Sequence, residues 1–164
     1  MENRVDTMEG KSMDVLREQL AKSLVGGQAF VRFRRALEGI RPELRGVRPN
    51  DSLHSIYEEL EHMRVCQEDL LYYALDPDWE SPRGSWPEHM REVPDEVWDR
   101  TLNGFFRDME RAVEMVKDPD IDLLSNIPDS EYTYLREVVI IIEHNAYHLG
   151  KILDIRKALG NWSR

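Results

Sequence analysis

The sequence holds a single cysteine, Cys66, in 164 residues. No internal disulfide can form, which fits a reducing compartment. Long apolar runs are also missing: no stretch approaches the roughly 20 residues that cross a bilayer. The first residues (Met1-Glu-Asn-Arg-Val-Asp) carry charges but no apolar core or small-residue cleavage site. No secretory signal is expected, and the chain reads as cytoplasmic without a membrane partner. Positive charge is in deficit, with 22 Lys and Arg against 32 Asp and Glu, a formal net charge of -10. Phosphate backbones would be repelled unless a basic patch were segregated. The densest basic segment (Arg32, Arg34, Arg35, Arg41, Arg45, Arg48) is interrupted by Glu38 and Glu43, so no nucleic-acid partner is expected. There is no period-two strand pattern, no internal repeat and no low-complexity tract.

Helical periodicity is what remains. A composition of 41% hydrophobic and 33% charged residues describes one globular domain, here divided into a flexible N-terminus at 1–11 and a single helical domain at 12–164. The spacing predicts a first helix from about Ser12 to Glu38, bent at Gly26-Gly27. Pro42, Gly46 and Pro49 mark a connection. A second helix is expected from Ser52–Ser55 to Leu75, started by a Ser55/Glu58 capping box and stopped by Asp76-Pro77. Residues 76–94, rich in proline and holding Trp79 and Trp86, read as a long structured loop pinned over one end of the core. A third helix follows from Asp95 to Lys117 and a fourth from Leu135 to Leu159, closed by Gly160. Four helices, each with one apolar face, make an all-α four-helix bundle.

The fourth helix carries His144 and His148. At 100° per residue, Ile141, His144, His148, Ile152, Ile155 and Leu159 share an arc of about 80°. Both imidazoles therefore point inward. Such a pair is either part of a metal site or a pair of buried, hydrogen-bonded histidines. On the second helix His62 is offset by about 60° from the apolar stripe, on a flank shared with Glu59, Cys66 and Tyr73. A third imidazole from a facing helix would complete a triad with open positions for water or substrate. Imidazole ligands suit zinc, nickel or iron(II) rather than magnesium or calcium.

Other groups have plainer readings. Cys66, one turn after His62, reads as a small buried side chain, although a mixed His/Cys site is conceivable. His54 and His89 read as surface or loop residues. Arg156, on the inward side of the fourth helix, is expected in a structural ion pair. Glu59 is either a solvated glutamate or a carboxylate that orients a ligand or moves a proton.

The runs Ser55-Ile-Tyr-Glu-Glu-Leu-Glu-His62-Met, His144-Asn-Ala-Tyr-His148-Leu-Gly-Lys-Ile and Arg156-Lys-Ala-Leu-Gly-Asn-Trp162, with Leu24-Val-Gly-Gly-Gln, resemble the DinB/YfiT-like metalloenzyme family. The resemblance implies a four-helix bundle with an unusual connection order, often a homodimer, and a divalent metal on three histidines. Residue by residue, those ligands fall on His62, His144 and His148. Lys151 departs from the family, which commonly has glutamine there. Relatives include S-transferases and an isomerase that use low-molecular-weight thiols, so a metal-dependent thiol S-transferase or hydrolase acting on a small molecule is expected. The alternative is a non-catalytic metal- or ligand-binding dimer, or a bundle whose histidines are structural.

Overall fold

The computed structural model describes residues 2–162, and the side chains of residues 10–162. Met1 and the side chains of residues 2–9 lie outside the described residues, and residues 2–11 of the expected N-terminal tail form the start of the first helix. Four long helices form the body: α1 (Glu2–Val25), α3 (Ile56–Leu75), α4 (Asp95–Lys117) and α5 (Tyr134–Ala158). A short α2 (Phe33–Leu37) and a 3-10 turn (Pro42–Leu44) lie between α1 and α3. No strand occurs among the described residues beyond one isolated bridge, Asn126 to Thr133. No described helix is long and apolar enough to cross a membrane.

Three helix boundaries follow from local chemistry that the sequence displays. Ser55 and Glu58 form both halves of the capping box that starts α3. Thr133 accepts from the Arg136 amide at the start of α5, and Gly160, at φ 65°, closes that helix. The expected first helix is different. It begins at Glu2 and ends at Val25, because Gly26 and Gly27 both take positive φ (72° and 92°). Two consecutive left-handed residues terminate a helix rather than bend it. The chain re-enters helix only at Phe33, where Phe33, Ala36 and Leu37 bury into the end of the bundle.

The packing order differs from the chain order. Helix α3 packs against α4 and α5, and α1 packs against the same two from the opposite side. Thr101 bonds Glu61, and Arg107 reaches Glu68, so α3 and α4 run parallel. Glu59 meets His148 while Leu71 and Ala74 cluster with Val138 and Ile141, so α3 and α5 run antiparallel. Parallel neighbours cannot be joined by a tight turn. The chain leaving α3 at Asp76 must return along the whole bundle to begin α4 at Asp95. This is why residues 76–94 are long. They run down the flank of α3 instead of covering one end of the core, as expected from sequence. Trp79 packs on Tyr72 and donates to Asp69 (2.8 Å), and Trp86 lies further along the same flank. Where the strap rejoins the bundle, a Cβ on Gly46 would sit 1.9 Å from the Met90 carbonyl, so only glycine fits there.

The interior divides into two apolar clusters. One holds Phe33, Ile56, Leu60, Phe105, Leu149 and Ile152; the other holds Leu24, Leu71, Met115, Leu123, Val138 and Ile141. A buried amide ladder lies between them: Asn145 donates to Gln67 (2.7 Å), and Gln67 donates to the Phe105 carbonyl (2.8 Å). The histidines stand at this level.

Candidate metal centre

The antiparallel pairing of α3 and α5 brings His62, His144 and His148 together, with ring centroids 4.4 to 4.9 Å apart. His62 and His148 are buried, and His144 is half-buried. His62 Nε2 and His144 Nε2 approach to 3.1 Å. Two nitrogen ligands of one tetrahedral ion would stand about 3.3 Å apart at ordinary bond lengths.

The tautomers follow from the outer partners. His62 Nδ1 lies 3.1 Å from the Ser85 carbonyl, an atom that can only accept, so Nδ1 donates and Nε2 keeps its lone pair. His148 Nδ1 donates to Glu59 Oε2 at 2.6 Å, which likewise leaves Nε2 as the free lone pair. A histidine held through one nitrogen by a carbonyl or carboxylate is the usual state of a metal ligand. His144 differs. With a lone pair on His62 Nε2, the 3.1 Å contact requires His144 Nε2 to carry the proton in the metal-free protein. Its Nδ1 is then a buried lone pair without a partner, and the neighbouring Asn145 Oδ1 is also a buried acceptor without a donor. If His144 Nε2 bound an ion, its proton would move to Nδ1, beside the Asn145 side chain that already favours a proton on that ring. The orphaned atoms thus fit a metal better than they fit its absence.

Electrostatics favour the neutral forms of His144 and His62. Burial, reinforced by His148 and His62, pushes His144 down to about 4. Burial also lowers His62, against its hydrogen bond to the Ser85 carbonyl, which raises it. Neutral imidazoles at pH 7 keep the lone pairs that ligation needs.

The rim contains residues that sequence reasoning passed over. Trp86 stacks on His62 at 3.9 Å and 2°, and it also meets His54 at 3.9 Å and His148 at 5.8 Å. His54 Nδ1 is 3.4 Å from Glu59 Oε1, so His54 is part of the site and not an ordinary surface residue. His89 likewise meets a buried carboxylate, Glu58, at 3.3 Å. Nothing in local periodicity marks His54 or Trp86, because both reach the site from outside the helices. Glu59 is only 1% exposed and binds His148, which excludes the solvated reading. Lys151 lies 3.9 Å from Glu59 and over the Tyr147 ring. Cys66 is half-buried with Sγ 3.7 Å from His62 Nδ1, and ligand atoms of His62, Cys66 and His144 all lie within 4.8 Å of one another. These three form a candidate His/Cys/His group for a divalent metal. The Cys66 thiol, expected to act as a small buried side chain, therefore borders the site.

Arg156 lacks the expected ion pair. Among the described residues no carboxylate reaches it; its guanidinium donates to the carbonyls of Ala36 and Asn161. The end of α5 meets the end of α2 there, and unsatisfied carbonyls at helix ends take up the donors.

No curated protein and no solved structure matches the chain. Residues 28–152 match the DinB superfamily profile, a span that contains all three histidines and Glu59. Leu24 to Gly27 and Arg156 to Trp162, which contributed to the likeness seen in the sequence, lie outside it. Since most of its length, from the end of α1 to within two turns of the end of α5, fits that profile, the chain belongs to the DinB superfamily.

Proposed function

We propose that the protein is a metal-dependent enzyme whose divalent ion is held by His62, His144 and His148, and that it acts as a low-molecular-weight-thiol S-transferase or a hydrolase. The observation that supports this most is the set of outer contacts. Two imidazoles are fixed through Nδ1 by Ser85 and Glu59, and the third carries a buried orphan nitrogen. A structural histidine cluster would satisfy its nitrogens internally. A bound zinc, nickel or iron(II) ion lowers the pKa of a coordinated thiol or water and supplies a nucleophile at neutral pH.

The chain's own residues orient and enclose that position. Glu59 fixes the His148 ring and its tautomer, which makes it a positioning residue in this reading. Trp86 covers one face of His62 and narrows the approach from the strap side. The indole, with Tyr147 (62% exposed) and the Lys151 ammonium nearby, gives the rim an aromatic and cationic character suited to a small organic anion.

Metal analysis of untagged protein tests the ligand set. Wild type should hold close to one equivalent, and His144→Ala should lose about 100-fold or more in affinity. Metal content that is substoichiometric and insensitive to His144→Ala would refute the site. A screen of metal-loaded protein with bacillithiol, mycothiol or glutathione plus an electrophile, against a His148→Ala control, tests the enzymatic reading.

A further inference from the structure

At the end of the bundle where α2 and α5 finish, a cleft of about 430 Å³ is lined by Arg35, Glu38, Arg41, Arg156, Asn161 and Trp162, among others. It is separate from the histidines, and its α5 side lies beyond the residues that match the family. Three guanidinium groups line it in a chain whose net charge is -10; Arg35 pairs with Glu38 and Arg41 with Glu43 (3.7 Å), which leaves Arg156 as the unbalanced charge. Local excess positive charge in an acidic protein has to be held in place. Here Arg156 is 3% exposed and anchored by carbonyls alone, so its charge has no counter-ion among the described residues. Its five N–H groups exceed the three bonds it makes. Arg35 stands beside it, and both guanidinium groups lie over the Trp162 ring, at 5.8 and 4.8 Å. The nearest acid, Glu38, pairs with Arg35 at 3.5 Å on the exposed side.

A second observation comes from the cleft wall. Asn161 donates its amide N–H to the Gly39 carbonyl at 3.1 Å, which fixes the orientation of the amide. Its Oδ1 is buried and has no donor. A buried acceptor without a partner is costly and rare. The cleft thus offers cationic donors, with an unmet acceptor buried in its wall.

We propose that this cleft binds a small oxyanion, a phosphate or carboxylate group, that also carries a hydrogen-bond donor. Arg35 and the free N–H groups of Arg156 take the anionic oxygens, Trp162 forms a flat wall, and Asn161 Oδ1 accepts the ligand's O–H or N–H. The donor requirement separates the two common tetrahedral dianions. Phosphate near neutral pH keeps an O–H, whereas sulfate has none and would set an oxygen lone pair against Asn161 Oδ1.

Calorimetric titration of the full chain at constant ionic strength, with inorganic phosphate, sulfate and lactate in turn, tests the proposal. Phosphate or lactate should saturate one site per chain, and sulfate should bind at least about tenfold more weakly. Whichever of the first two binds more tightly identifies the phosphate or the carboxylate as the natural group. Arg35→Gln, an exposed change at the cleft mouth, should weaken the preferred anion by about tenfold or more. Arg34→Gln, which removes a neighbouring arginine paired with Glu110 and outside the cleft, should leave binding unchanged. No saturable binding of phosphate or lactate would overturn the site. So would wild-type affinity in Arg35→Gln, or an equal loss in Arg34→Gln. Equal affinity for phosphate and sulfate would overturn the role of Asn161. Circular dichroism of each variant confirms that the fold is retained.

Discussion

Helix α3 buries polar groups on two flanks, and they are finished in opposite ways. Toward α4, Arg64 binds Glu61 at 2.8 Å and Glu68 at 2.9 Å, Thr101 donates to Glu61, and Arg107 closes on Asp108. Each carboxylate has a cationic partner, and the Glu61 hydrogen bond holds the Arg64 guanidinium well above its ordinary range. Toward α5, the same helix presents His62 and Glu59 to His144 and His148, with imidazole nitrogens facing one another and two buried atoms unpaired. The first flank is closed and needs nothing further. The second leaves His144 Nδ1 and Asn145 Oδ1 buried without partners, which is the feature a bound ion would account for. Burial of charge is common to both; satisfaction of every donor and acceptor separates a structural cluster from a site.

The sharpest way to break this contrast is to remove one member from each flank of the metal-free protein. Arg64→Ala leaves Glu61 without its cation and Glu68 with only Arg107 at 3.7 Å, and should destabilise by about 3 kcal/mol. His144→Ala removes a desolvated ring whose Nδ1 makes no bond, and should cost about 1 kcal/mol or less. Urea denaturation of both variants measures the difference. Equal costs would mean that the histidine flank is as structural as the other.

Acid unfolding sharpens the comparison at the start of the helix, where Glu58 serves as a purely structural reference. Burial alone would raise its pKa, but hydrogen bonds from Arg48 and Ser55 outweigh burial and bring it down to about 2. A folded pKa below the unfolded value of 4.5 stabilises the protein above pH 4.5, and that stability is lost as pH falls toward 2. Half-exposed Arg48 screens part of the effect, which leaves about 2 kcal/mol. Glu58→Gln should therefore flatten the stability profile between pH 4.5 and pH 2. An unchanged slope in that window would show that the capping carboxylate contributes nothing.

The smallest effect is expected at Glu59. Glu59→Gln keeps the shape but weakens the hold on His148 Nδ1, and should reduce metal affinity by about tenfold in a chelator competition. Destabilisation of the metal-free fold with no change in metal affinity would place Glu59 with the structural flank instead.

The elements legible in sequence were those governed by neighbours in the chain. The capping box at Ser55, the stop at Asp76-Pro77 and the 3.6-residue period of α5 are local, so α3, α4 and α5 lie within one or two residues of their expected ends. The break at Gly26-Gly27 was visible as two glycines but read as a bend, because spacing does not reveal the sign of φ. His144 and His148 were legible because one helix sets both. His54, Trp86 and Ser85 were not, since the strap and the approach to α3 place them and no periodicity links them to the helices.

By itself the sequence determined an all-helical chain, an inward pair of imidazoles one turn apart and a third on the flank of another helix, because helical geometry converts spacing into direction. Only the tertiary structure decided that α3 and α4 run parallel, and so that a long strap must pass beside His62. It also decided which imidazole nitrogens are held and which stay free. Tautomer, burial and the missing partners of His144, Asn145, Asn161 and Arg156 depend on groups that meet across the bundle, and chain order carries no record of those meetings.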